Sequence, residues 1–253
     1  MSPALIGVIV FVSTLVGALF GMWLRKKLPE HHIAAESRDA VKLCVGLIAT
    51  MTALVLGLVT ASAKSHFDSV SAAVDHTAVD ILTLDRLLAR YGPETREVRV
   101  ALKNAVALRA EMIWPKDSSR KAELDPLPAR LEVEVIPDRI RGLTARDEKQ
   151  NYLRSRAVDL SEAVLQTRWL ASAEVESSIP LPFVATLLCW LTITFTIFGM
   201  LSPGNATVRT VFLVCALSVG SAVFLILEMD GPFHGLMRVR GGPIHFALEH
   251  LNQ

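Results

Sequence analysis

Apolar positions along this chain follow two regimes. In residues 4–24, 43–63, 177–208 and 210–227 no Asp, Glu, Lys or Arg occurs. Between the second and third of these stretches, apolar residues instead recur every three, four or seven positions among many charges. An uncharged run of roughly twenty residues covers about 30 Å as a helix, the thickness of bilayer hydrocarbon. The pattern predicts four membrane spans, Pro3–Leu24, Leu43–Ala63, Pro180–Leu201 and Val208–Leu227, with a solvated helical segment between the second and the third.

The flanks sharpen each span. Nothing charged precedes the first run and Arg25-Lys26-Lys27 stops it, which predicts an uncleaved anchor rather than a signal peptide. The second run places Ala49, Ala53, Gly57, Ala61 and Ser65 at a spacing of four. Such a row of small residues lets another helix come close. Packing within one subunit is the favoured expectation, and a subunit interface or pore wall is the alternative. The third run is entered through Ile179-Pro180-Leu181-Pro182, and proline suits a first helical turn. Its Thr192 and Thr196 share a face, a weak pointer to a pore lining because threonine also bonds back to its own helix. Ser202-Pro203-Gly204-Asn205 is a turn signal, so spans three and four should form an antiparallel hairpin. Glu228 and Asp230 close the fourth span, ahead of Gly231-Pro232-Phe233.

Residues 64–178 hold 18 basic and 19 acidic residues. Lys64 to Tyr91 carries Val70, Val74, Ile81, Leu84 and Leu88 on a helical rhythm and ends at Gly92-Pro93, a usual stop. No loop signal separates it from span two, so one long helix is expected to leave the membrane there. Glu94 to Ile113 reads as a second helix. Leu153, Ala157, Leu160, Val164, Thr167 and Ala171 mark another, expected to run straight into span three. Pro115, Pro126, Pro128 and Pro137 make Trp114 to Arg146 read as a loop. The chain thus divides into 1–63, two spans and a basic connection; 64–178, a helical aqueous domain; 179–230, two further spans; and 231–253, a tail.

Composition narrows the function classes. The chain has 253 residues, 51% of them hydrophobic, and 26 basic against 25 acidic residues. Such a balance argues against nucleic acid, whose phosphates need a basic surplus. The bilayer is the first partner, and a soluble single-core enzyme is excluded. Cys44, Cys189 and Cys215 all lie in apolar runs, where no disulfide or zinc site is expected. The His31-His32 pair is not expected to bind metal, because adjacent residues do not share a helix face. There is no Walker loop, GxSxG, HExxH or dinucleotide fingerprint, so no catalytic residue and no cofactor is expected. The polar groups that remain at the membrane boundary are Lys64, Asp68, Glu228 and Asp230. Interfacial pairing of the two carboxylates with Lys64 or Arg238 is the plainer expectation, and a gate or cation site the sharper one. The first loop, with Arg25, Lys26, Lys27, Arg38 and Lys42, is the most basic, so the charge rule places it in the cytoplasm and the central segment outside.

Two stretches resemble bestrophins: Thr60-Ala61-Ser62-Ala63-Lys64-Ser65-His66-Phe67-Asp68 at the exit of span two, and Glu228-Met229-Asp230-Gly231-Pro232-Phe233-His234-Gly235 after span four. Four spans with a helical insert between the second and third match as well. The nearer likeness, over nearly the whole chain, is to the bacterial bestrophin-like family of unknown function. It is carried by Ala61-Ser62-Ala63-Lys64-Ser65, by Leu84-Asp85-Arg86-Leu87-Leu88-Ala89-Arg90-Tyr91-Gly92-Pro93 and by Asn205-Ala206-Thr207-Val208.

This resemblance implies an all-α membrane protein that forms a homo-oligomer, a pentamer in bestrophins, and conducts chloride or other small anions through a hydrophobic neck from span two. It also implies a cytoplasmic central domain in a bacterial inner membrane, against the charge rule. Two departures stand out. Matching Phe67 to the bestrophin aromatic puts Ala53, Gly57 and Ala61 where bestrophins carry bulky neck residues. Glu228 and Asp230 have no acidic run after them, unlike the calcium clasp of bestrophins. The alternative from another class is a non-conducting scaffold or sensor whose helical domain binds a partner.

Overall fold

In a computed structural model, residues 2–27, 35–115, 127–173, 179, 181–233 and 235–253 are described, with backbone alone for 35–38, 127–133, 167–173 and 181. Among the described residues all regular structure is helical. The helices are α1 (Pro3–Lys27), α2 (Ala35–Tyr91), a short 3-10 turn (Pro93–Thr95), α3 (Arg96–Ile113), α4 (Leu127–Arg141), α5 (Glu148–Ala173), α6 (Leu181–Leu201), α7 (Ala206–Met229) and α8 (Gly242–His250). Four of them, α1, α2, α6 and α7, contain stretches long and apolar enough to cross a membrane. In hydrocarbon a helix is one of the few ways to satisfy every backbone group within the segment itself. The chain divides into two compact units, Met1–His66 with Ser177–Asp230, and Phe67–Glu176 with Gly231–Gln253.

In the first unit α1 lies between α6 and α7. Glycine makes this possible: the backbone of Gly21 abuts Thr196 and Met200, that of Gly199 abuts Ala18, and Gly7 and Gly220 bring α1 and α7 together beside Phe11 and Phe224. A Cβ at any of these sites would collide with a backbone or side-chain atom of the other helix. The expected hairpin of spans three and four is therefore a turn with α1 set into its groove. Its two arms still meet where the rings of Phe195 and Phe212 lie tilted at 50°, 6.2 Å between centroids. The turn is held by Asn205, whose side chain accepts from the Val208 N–H at 3.0 Å as an N-cap. At the other end of α1, Trp23 stacks on Phe20 and lies under the Lys27 ammonium, an arrangement suited to the headgroup level.

In the second unit, Ile81, Leu84 and Leu88 of α2 pack with Val98, Leu102 and Val106 of α3, Ile136 and Ile140 of α4, Ala157 of α5, and Ile244 and Ala247 of α8. The spacing read for Lys64–Tyr91 and for Leu153–Val164 is the spacing of this core, while the side chains of Thr167 and Ala171 lie outside the described residues. Gly92 has φ of 144°, a left-handed conformation that favours glycine. Thr95, fully buried, donates to the carbonyls of Leu88 at 2.6 Å and Gly92 at 2.8 Å and locks the stop.

One expectation fails here. Part of the proline-rich stretch is the helix α4, with Pro128 in its first turn and Pro137 inside it. Proline at an internal position removes one backbone hydrogen bond. Ile136 and Ile140, four apart and both fully enclosed by the core, offset that loss. The junction of α5 with span three, the His31-His32 pair and Pro180 lie outside the described residues.

Asp85 is the buried charge of this unit, 1% exposed, and Arg99 binds it through two parallel hydrogen bonds of 2.8 Å. These groups, with Lys103, hold the last residues: Asn252 N–H donates to Asp85, Arg99 to the Gln253 carbonyl and Lys103 to that of Leu251. Hydrogen bonding to Asp85 holds the Arg99 guanidinium above the ordinary arginine range, against desolvation and helped by charge attraction. A raised pKa adds stability that is fully present below the unfolded value and is lost only as pH rises through the folded one. Arginine's share is therefore constant around neutral pH. Removing the carboxylate leaves the half-buried Arg99 without its partner and the Asn252 N–H without its acceptor, which costs about 1–3 kcal/mol. Asp85→Ala is expected to lower the unfolding free energy of the detergent-solubilised protein by that order at pH 6 and pH 8 alike, as followed by denaturant titration.

Candidate functional site

The candidate site is the second span and its exit, and α2 carries it as one unbroken helix of 57 residues. Within the first unit α2 buries Val45, Thr52 and Ala63, and it lends Leu56 and Val59 to a small apolar cavity of about 20 Å³ beside Val10, Leu187, Leu191 and Val223. Such a lining has no partner for water and stays dry. The opposite side carries Leu43, Leu47, Leu54 and Leu58, of which Leu54 is 71% and Leu58 69% exposed.

The row of small residues lies mostly off the packed side. Ala49 is half-buried, whereas Ala53, Gly57, Ala61 and Ser65 are exposed, and a Cβ built on Gly57 meets nothing within 4 Å. The cause is helical geometry. Four residues turn a helix by 400°, so each step of four drifts by about 40° and five such positions sweep roughly 160° of its circumference. The subunit's own close packing is made by the glycines of α1 instead. Their signal, Gly7, Gly17 and Gly21 within one apolar run, was present in the sequence and is the one that mattered for packing inside the subunit. Thr192 and Thr196 face α1 as well, where Gly17 abuts them, and their hydroxyls donate back to Leu188 and Thr192 of their own helix. These two threonines are packed inside the subunit rather than lining an open path.

The boundary carboxylates differ in setting from a solvated helix end. Glu228 is 6% and Asp230 8% exposed, and both are engaged. Lys64 and Asp68, one turn apart on α2, are exposed and engaged also. The turn that follows α7 is fixed by the second unit's aromatic cluster. Phe233 and Val239 pack with Val70, Trp114 meets Phe233 edge-on, and its indole N–H donates to the Val239 carbonyl at 2.9 Å. Val239 N–H closes the loop onto the Pro232 carbonyl at 2.8 Å. Gly241 lies against the Trp114 ring, where a Cβ would stand 2.7 Å from it. Cys44, Cys189 and Cys215 are free thiols on exposed helix faces.

A family model described as the bestrophin-like domain matches residues 12–244, most of the chain. The chain belongs to the bestrophin-like family. Crystal structures of a bacterial bestrophin homologue from Klebsiella pneumoniae share its fold. One single-residue variant superposes with a TM-score of 0.68 at 13% identity, covering 96% of this chain and 94% of that one. A second gives 0.68 at 12% identity, covering 96% and 97%. A further crystal structure, described as a membrane protein, gives 0.67 at 14% identity over 96% of both chains. No curated protein matches the sequence.

Because Gly57 touches nothing in its own subunit, Gly57→Leu should leave the subunit's unfolding free energy within about 0.5 kcal/mol of the original. Denaturant titration of the dissociated subunit in detergent checks this, and a loss of several times that size would mean the span packs differently inside the subunit.

Proposed function

We propose that this chain assembles with copies of itself into a ring that conducts small anions, chloride among them, across a bacterial plasma membrane, with α2 lining the path. The observation that carries the reading is the free side of α2. Three other spans pack against α2 or one another inside the subunit, yet the helix leaves an apolar side and a small-residue side uncovered. A small-residue side suits close approach of a neighbouring helix, where dispersion and weak backbone contacts hold the pair. A bulky apolar side suits a constriction that passes ions only when wetted. Family membership supports the reading, and a ring of five comes from bestrophin resemblance alone.

Under this reading Leu54 and Leu58 form the constriction, and Ala53 and Gly57 face the adjoining subunit. That removes the difficulty of a neck built from alanine and glycine. The buried, engaged state of Glu228 and Asp230 supports a structural part for them at the turn. The aqueous unit is placed in the cytoplasm, as in the bestrophin-type topology, in preference to the charge rule. The basic first loop also carries Glu30, Glu36 and Asp39, which blunts that rule.

The purified protein is expected to have a multiple of its 27.6 kDa mass in detergent and to pass chloride in liposomes. Leu58→Ser should raise that flux severalfold with the mass unchanged, because a hydroxyl wets the narrow stretch. A stable monomer without flux would favour the scaffold instead. For the topology, Tyr152→Cys in a background lacking Cys44, Cys189 and Cys215 should resist an impermeant thiol reagent in intact cells. Tyr152 is exposed, so ready labelling would place the aqueous unit outside.

A further inference from the structure

The aqueous part of α2 also has a free side. Ile81, Leu84 and Leu88 are enclosed by the core, whereas Val79, Thr83, Arg86 and Arg90, spaced by four, three and four, are exposed. Arg86 and Arg90 border a shallow hollow of about 230 Å³ together with Leu82, Thr83 and Leu87. Neither guanidinium meets an acid among the described residues. The nearest acids in sequence are committed elsewhere, Asp85 to Arg99 and Glu94 to Arg146. Two arginines one turn apart without a counter-charge present a planar, multi-donor surface to an anion.

The other charges of this stretch do not cancel them. Lys64 and Asp68 are of opposite sign and four apart. Asp75, exposed, lies about 16 Å before Arg86 along the helix, and Asp80, half-buried, about 9 Å. Both distances exceed the screening length of about 8 Å at physiological salt.

We infer that Arg86 and Arg90 are the charge-selecting residues of the path, taking compact inorganic anions such as chloride or nitrate at its aqueous mouth. The inference rests on the channel reading above. In an assembly whose path follows α2, every copy contributes two fixed positive charges there. Their field concentrates anions and repels cations before the apolar stretch is reached.

The test is the anion-to-cation permeability ratio, from reversal potentials in liposomes under a potassium chloride gradient, with the oligomer mass read in parallel. R86Q/R90Q should lower the ratio about tenfold, R86E/R90E should invert it, and R86K/R90K should keep it. Thr83→Arg, on the same exposed side, should raise it, which a misfolded protein could not do. If the unsubstituted protein conducts and neither R86Q/R90Q nor Thr83→Arg moves the ratio, the inference is overturned and the channel stands. If the unsubstituted protein is a monomer or passes no ions, the channel reading falls and the inference with it.

Discussion

A helix can bury only one side of itself in its own subunit, and α2 makes that limit decisive. Val45, Thr52 and Ala63 in the span, and Val70, Ile81, Leu84 and Leu88 beyond it, use up the packed side. What is left over runs from Leu43 to Arg90 and changes chemistry on the way, from bulky apolar to small and polar to basic. In a lone subunit the leucines of the span would meet lipid and the arginines of the aqueous part would meet water, so the fold of one copy is satisfied with this side of the 57-residue helix left open to a neighbour.

The rest of the subunit supplies what α2 needs to be held in this way. In the membrane, apolar contacts between helices gain little over contacts with lipid tails, so close backbone approach has to provide the cohesion. The glycines of α1 and Gly199 of α6 do this without any charged group. In water the argument reverses, and the second unit closes around an ordinary apolar core. Its Asp85–Arg99 pair adds less net stability than orientation: two parallel hydrogen bonds fix α3 against α2, and the spare donors and acceptors seat Asn252 and Gln253.

The span boundaries, the continuous second helix, the Gly92-Pro93 stop and the core periodicity could all be read from the sequence, because each depends on local rules: exclusion of charge, missing donors, a period of 3.6. What could not be read depends on geometry summed over distance. Pro137 looks like a breaker until Ile136 and Ile140 are seen filling one core. The five small residues of span two look like one face only if 400° is taken as a full turn. The insertion of α1 between spans three and four has no local signature at all, since three glycines in an apolar run do not say which helices they admit. The burial of Glu228 and Asp230 was likewise invisible, because a carboxylate at the end of an apolar run reads as a solvated helix end.

The assignment of the constriction follows from this drift. Had the row Ala53–Gly57–Ala61 stayed on one side, a path along it would have been wide and wet, and the hydrophobic barrier that resemblance to bestrophins leads one to expect would be missing. Because the row rotates, its middle turns from the subunit's own packing toward the flank, and the leucines four and seven apart occupy the side directly opposite the packed one. A neighbouring subunit brought against the flank by Ala53 and Gly57 would turn Leu54 and Leu58 toward a common axis. Under the proposed reading, the same rotation would let one short sequence supply both a contact between subunits and a barrier: neighbouring residues of a helix are about 100° apart, so Gly57 and Leu58 can face two different environments without any bend in the chain.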